Sequence, residues 1–444
     1  MLIGAEPLDP AVVAAAARSG PLRVELSGAA RERIAAGHAA AVAIAARRRV
    51  YGRTTGVGAN RHVAVAGDVA EHGRRLLRSH AGGLGEPLDA DVVRATMLIR
   101  LNQIARGGGG QRPEVADALA ARLGADDPPL LRGLGGLGTG DLTVLAQLGL
   151  ALGDALGEGD ALPFMSSNAA TFAVATLAWA DLRELLDAGL AVGAESFAAL
   201  HGNPEAYAEP VAAGRPLPGI VAVSAVLRGL TRDVAGEPAR LQDPLGVRTL
   251  PQVGGALHEA LAALHAVLAV ELAAASENPL IAGEAVYHHG GFHAASLALA
   301  LDTARLAAVQ FGGLSLARLS LLMEPDLTGL EPFLSGGVPG SSGLMIAEYV
   351  GADAFARLRS LAVPTSTGGI SISRGLEEHA SFAWQGALQA RDAVAHLRTL
   401  LALEHLAARR ALDGTAPDDA EIAADVGAAE AELPRLARAA RDAG

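Results

Sequence analysis

A chain of 444 residues, half of them hydrophobic and few aromatic, can bury a sizeable core. Its net charge of -12 argues against a nucleic-acid partner. It contains neither cysteine nor lysine, which removes disulfides, thiolate catalysis, a lysine Schiff base and the lysine of a Walker-type phosphate loop.

The start, Met1 to Pro7, has no basic n-region and no apolar run, so no signal peptide is expected and the location reads as cytoplasmic. Charged residues are expected to interrupt every apolar stretch before it reaches membrane-span length, so no membrane partner is expected. Ser27 reads as an N-cap ahead of a helix over 31–49. Tyr51-Gly52-Arg53-Thr54-Thr55-Gly56-Val57-Gly58 is a glycine-punctuated loop, where a tyrosine more often anchors than catalyses. After Ser79-His80, a helix is predicted over 89–105, broken by four glycines, with Pro113 opening the next over 114–123.

Gly135-Gly136-Leu137-Gly138-Thr139-Gly140-Asp141 then leads into an apolar helix from Leu142 to Gly153. Its glycines permit a tight bend, and the helix start offers unpaired N–H groups that stabilise developing negative charge. A helix follows Leu162-Pro163-Phe164-Met165-Ser166-Ser167-Asn168, through Leu186 or beyond. Residues 200–245, rich in Pro, Gly and Arg, read as irregular. Long helices are predicted from Val253 to before Ser276, over 294–323, from 340 to 361, and from Glu377 to Gly414. His288-His289-Gly290-Gly291-Phe292-His293 is the densest histidine cluster. Adjacent residues of an extended segment point opposite ways and no HExxH spacing occurs, so no metal site is expected. Apolar helices of this length must pack on one another, which predicts an all-α fold with a long central bundle and functional loops at helix ends. One helical domain over 1–414 and a short helical tail over 415–444 are expected.

From about residue 45 to 410 the motifs, in order, resemble the aromatic amino acid lyases: the histidine, phenylalanine and tyrosine ammonia-lyases. Tyr51-Gly52 with Thr55-Gly56 and Gly58, then Ser79-His80, Asn102 with Arg106-Gly107, and Gln242-Asp243-Pro244 with Arg248 carry the likeness. Ser276-Glu277-Asn278-Pro279, Phe292-His293, Pro332-Phe333-Leu334 and Glu377-x-His379 complete it. The resemblance implies the histidine ammonia-lyase and fumarase-like helical fold, and a homotetramer whose subunits share active sites. It implies Tyr51 and Glu377 as catalytic residues, with Tyr51 the base. His80, Arg248, Phe333, Leu245 and Ser166 become substrate-binding positions, Arg248 taking a carboxylate.

In the family, Ala-Ser-Gly before Asp-Leu cyclises its own backbone into a methylidene-imidazolone electrophile, or MIO. Here the triplet is Gly138-Thr139-Gly140. The family's Asn-Gly-Thr-Gln has become Ser166-Ser167-Asn168-Ala169, and Leu245 and Gly291 replace a tyrosine and an asparagine. The changes fall on residues that support the electrophile, while Tyr51, His80, Arg248 and Glu377 remain. No external cofactor and no intact MIO are expected. The resulting reading is a lyase that eliminates from, or adds to, a small carboxylate- or carbonyl-bearing substrate by acid–base chemistry. Tyr51 starts from a pKa near 10 and needs cationic neighbours or dipoles, with Arg53 the sequence candidate. An ammonia-lyase or aminomutase with a Thr139-derived ring, and a silent homologue serving as a binding or assembly subunit, stay open.

Overall fold

The computed structural model describes every residue except 126, 235 and 415–418. It is 63% helical, and the strands among the described residues form three two-stranded ladders. The expected all-α fold is the one the chain adopts.

Local chemistry sets the helix starts. Ser27 lies in extended backbone and accepts the Ala30 N–H at 3.1 Å, capping Gly28–Ala45. Asp68 caps Val69–His80 by accepting from Ala70 and Glu71. Pro113 opens Pro113–Ala125, where its missing N–H is one the helix would not use. Ala90–Ile104, Leu142–Ala151, Ala169–Ala199, Leu250–Glu271, Ala295–Leu322 and Met345–Ser360 lie close to the periodic stretches of the sequence.

Other boundaries differ from expectation. The helix capped by Ser27 stops at Ala45, because 46–49 are exposed and have no face to bury. Residues 200–245 are not wholly irregular: Pro218–Thr231 is a helix whose Ile220, Val223, Leu227 and Thr231 form a buried stripe. The last long helix starts at Ala383 rather than Glu377. Phe382 has φ +53°, a left-handed conformation that an α-helix does not run through, so 377–382 form a loop. Among the described residues the tail holds one helix, Ala423–Ala443; the expected boundary at 415 lies outside the described residues.

Two compact units divide the chain. One takes Met1–Ala180, His265–Leu301 and Pro364–Leu388; the other takes Asp181–Leu264, Asp302–Val363 and Gln389–Gly444. In the first, Leu98, Leu101, Leu145, Leu148, Phe164, Phe172 and Trp384 are buried, each such side chain stabilising by roughly 1.5–3 kcal/mol. Through this core runs a polar network. Arg100 meets Glu277 at 2.9 Å and donates to the carbonyls of Phe164 and Pro163 at 3.1 and 2.8 Å. In the second unit, Phe197, Leu257, Leu261, Phe311 and Leu397 are buried, as is an Arg318–Glu404 pair at 2.5 Å. Ser196 and Ser315 donate to the same carboxylate at 2.7 and 2.6 Å.

Contrary to the expectation that charges interrupt every apolar run, three stretches are long and apolar enough to cross a membrane: Ala161–Ala199, Leu250–Glu271 and Ala295–Leu322. The most apolar 18-residue window of the first is wholly buried in protein, as a helix segment apolar all round must be. The other two leave Val270, Leu299 and Leu306 at the surface.

Candidate active site

The glycine-rich loop before Leu142–Ala151 is stitched to three other segments of the first unit. Gly138 has φ +65° and Gly140 φ +82°. A Cβ on Gly138 would lie 2.7 Å from the Trp384 nitrogen and 2.8 Å from that of Ala383, so only glycine fits. Ser381 donates its hydroxyl to the Gly138 carbonyl and its N–H to Thr139 Oγ1, the latter at 2.8 Å. The Gly140 N–H donates to Asn168 Oδ1 at 2.7 Å, and the same Asn168 amide donates to the Phe292 carbonyl. Thr139 also pairs with His293 in an isolated antiparallel bridge.

Asp141 follows in a fully buried position, accepting the Thr171 N–H and hydroxyl, each at 2.7 Å. Burial pushes its carboxyl up to about 6 from an ordinary 3.8, and the bonds from Thr171 offset this in part. The folded state therefore binds this proton more tightly than the unfolded chain, so stability from this group falls as pH rises from about 3.8 to about 6. At about 1.4 kcal/mol per unit the change is on the order of 3 kcal/mol. Urea midpoints of the wild type and Asp141→Asn, taken from pH 4 to 7, should diverge in slope across that window; parallel curves would refute the assignment.

A cavity of about 920 Å³ opens beside the loop, formed wholly by the first unit. Of the sequence-predicted residues it brings together Tyr51, His80, Thr139, Gly140, Ser166 and Glu377. It adds Arg61, His62, Asn278, His288, His289, His293, Ser373 and His379. Tyr51 Oη accepts the Gly58 N–H at 2.7 Å, and the next N–H, of Ala59, donates to Ser373 Oγ at 3.1 Å. Burial raises the Tyr51 phenol; the Gly58 N–H lowers it, Glu377 raises it and Arg61 lowers it. Arg53, the expected cation, is instead buried and donates to the Gly110 carbonyl at 3.0 Å. Arg61 faces Tyr51 in its place.

Three of the six cavity histidines are tied to backbone. His289 lies 2.9 Å from the Glu277 carbonyl through Nε2 and accepts the Gly291 N–H at 2.8 Å through Nδ1. His288 Nε2 accepts the Tyr51 N–H at 3.3 Å. His80 Nδ1 lies 2.9 Å from the Leu76 carbonyl and 3.0 Å from the Ser79 hydroxyl. Ser166 Oγ accepts the Asn278 N–H at 3.0 Å. Among the described residues no group of three or more His, Asp or Glu side chains is arranged to hold a metal ion.

Gly138 lies outside the cavity lining, as do Leu245, Arg248 and Phe333, which belong to the second unit. Arg248 ends the short helix Leu245–Arg248; its Nε and the Gln252 Oε1 are buried and lack hydrogen-bond partners. Leu245 is exposed and Phe333 sits in a turn at φ +57°. Sequence reading gave Asn168, Ser381 and Ser373 no role. Only the proximity of Ser381 to the Glu377-x-His379 motif hinted at the loop contact.

Against known families, aromatic amino acid lyase matches residues 8–161 and 154–433. The chain belongs to the aromatic amino acid lyase family. Like other members of that family it is an enzyme of the lyase class. It is 34% identical over 454 residues to histidine ammonia-lyase of Streptomyces avermitilis, covering 93% of this chain and 88% of the relative. It is 35% identical over 452 residues to that of Symbiobacterium thermophilum, covering 94% and 88%. Among solved structures, histidine ammonia-lyase of Trypanosoma cruzi superposes with a TM-score of 0.89 at 23% identity, over 100% and 95% of the two chains. Ergothionase of Treponema denticola, described as an ergothioneine-degrading enzyme, gives 0.91 at 23% identity over 99% of each. At that identity the likeness speaks for the aromatic amino acid lyase fold alone.

Proposed function

We propose that this member of the family is a lyase that eliminates from, or adds to, a small amino-acid-like carboxylate by acid–base chemistry, with Tyr51 as the base and no MIO. The observation that carries the reading is the Gly140 N–H held at 2.7 Å by Asn168. Ring closure would bond the Gly140 nitrogen to the Gly138 carbonyl carbon and remove that hydrogen. Asn168, 1% exposed, would then keep an acceptor without its donor, a loss of about 1–3 kcal/mol. The Gly138 carbonyl is likewise held by Ser381, and a Thr139-derived ring would carry an extra methyl on its electrophilic carbon. These contacts support the open chain over the ring.

The proposed enzyme is cytoplasmic and homotetrameric. The half-exposed apolar helices Leu250–Glu271 and Ala295–Leu322 support burial against further copies. Arg248, Leu245 and Phe333 would complete the site in that assembly. The unpartnered Arg248 Nε supports a carboxylate there, since a guanidinium binds a carboxylate through paired hydrogen bonds.

The 34% identity to curated histidine ammonia-lyases favours a second reading, an ammonia-lyase with a Thr139-derived ring. Intact mass separates the two, because cyclisation and dehydration each remove one water. The unmodified mass is expected, and a mass short by two waters would restore the ring. Turnover of L-histidine, L-tyrosine, L-phenylalanine and ergothioneine, read by the ultraviolet absorbance of an α,β-unsaturated acid, then tests the lyase activity.

A further inference from the structure

Two cavity imidazoles differ from the rest in bonding to each other. His293 Nε2 lies 2.9 Å from His379 Nδ1, with ring centroids 5.0 Å apart. One nitrogen must donate and the other accept, so the rings share a proton. Their backbones are fixed by the same loop: Thr139 pairs with His293, and Ser381, two residues beyond His379, bonds to Gly138 and Thr139. Asn168 fastens the neighbouring Phe292 carbonyl. His379 is exposed, and its Nε2 makes no hydrogen bond among the described residues.

We propose that His293 and His379 form a proton relay between solvent and the substrate's leaving group, with the Gly138–Gly140 loop as its scaffold. The proposal rests on the elimination reading above and assigns the second proton that such a reaction needs. Burial and His379 both lower the basicity of His293, which favours passage of a proton over its storage. Arg61, His62, His80, Glu377 and Glu378 are the other charged or titratable side chains lining this cavity besides Tyr51, His288 and His289.

The step balances as follows. Tyr51 phenolate takes a proton from carbon, the C–H electron pair becomes the new C=C bond, and the bond to nitrogen breaks with its pair on nitrogen. A free-base amine then takes one proton from the relay and leaves as neutral ammonia. His379 regains that proton from water, which recovers it from the Tyr51 hydroxyl. A trimethylammonium group leaves as a neutral tertiary amine and takes none.

The full-length enzyme and His379→Gln are compared on L-histidine and on its Nα-trimethyl betaine, which give the same unsaturated acid. His379 is exposed, so the variant should fold, and its melting temperature is checked. A loss of about a hundredfold on L-histidine with the betaine rate nearly unchanged is expected. Equal effects on both substrates, or none on L-histidine, would overturn the relay. Independently of turnover, the nitrogen NMR shifts of His293 should move in His379→Gln, and unchanged shifts would also overturn it. Tyr51→Phe, assayed alongside, judges the elimination reading separately: a retained rate there defeats the base assignment, while the substrate ratio still decides the relay.

Discussion

Tyr51→Phe is expected to lower kcat/KM by about a hundred- to ten-thousand-fold, the usual cost of losing a positioned general base. The ring and its packing stay; only the oxygen that accepts the Gly58 N–H at 2.7 Å is removed. Because burial raises the phenol above its ordinary value, the phenolate is a minor species at neutral pH. The wild-type rate should therefore climb with pH into the alkaline range. Glu377 adds to the upward shift, so Glu377→Gln should move that rising limb to lower pH. Thr139→Ala should cost far less than Tyr51→Phe, since it removes one acceptor for the Ser381 N–H. The reverse order, with Thr139→Ala inactive and Tyr51→Phe active, would point to ring-based chemistry.

Arg100→Met should be the most destabilising of the single changes considered. Arg100 and Glu277 are 0% and 1% exposed in their side chains and lie 2.9 Å apart. Removing the guanidinium leaves the carboxylate buried without its cation, a penalty of about 3–5 kcal/mol. Gln103, which accepts from Arg100 at 3.2 Å and from Ser167 at 2.7 Å, links the pair to the segment before Asn168. Urea unfolding should show the loss, and the double change Arg100→Met with Glu277→Leu should recover much of it, because both charges then go. A single variant as stable as the wild type would mean that the pair carries no net constraint.

By itself the sequence determined the fold class and the family. Helical periodicity depends on local spacing, and a Ser27 cap or a Pro113 start is a property of a few adjacent residues. Ordered motifs such as Tyr51-Gly52 and Ser276-Glu277-Asn278-Pro279 are likewise read along the chain. What depends on approach across the fold was decided only by tertiary structure. Arg53 is near Tyr51 in sequence, but its side chain turns to Gly110, and Arg61 supplies the charge. Glu377 and His379 lie on a cavity loop instead of a helix because Phe382 takes a left-handed conformation. Asn168 meets Gly140 across 28 residues and His293 meets His379 across 86. Hydrogen bonds of this kind are fixed by the packing of distant segments, a three-dimensional fact that spacing along one chain does not encode.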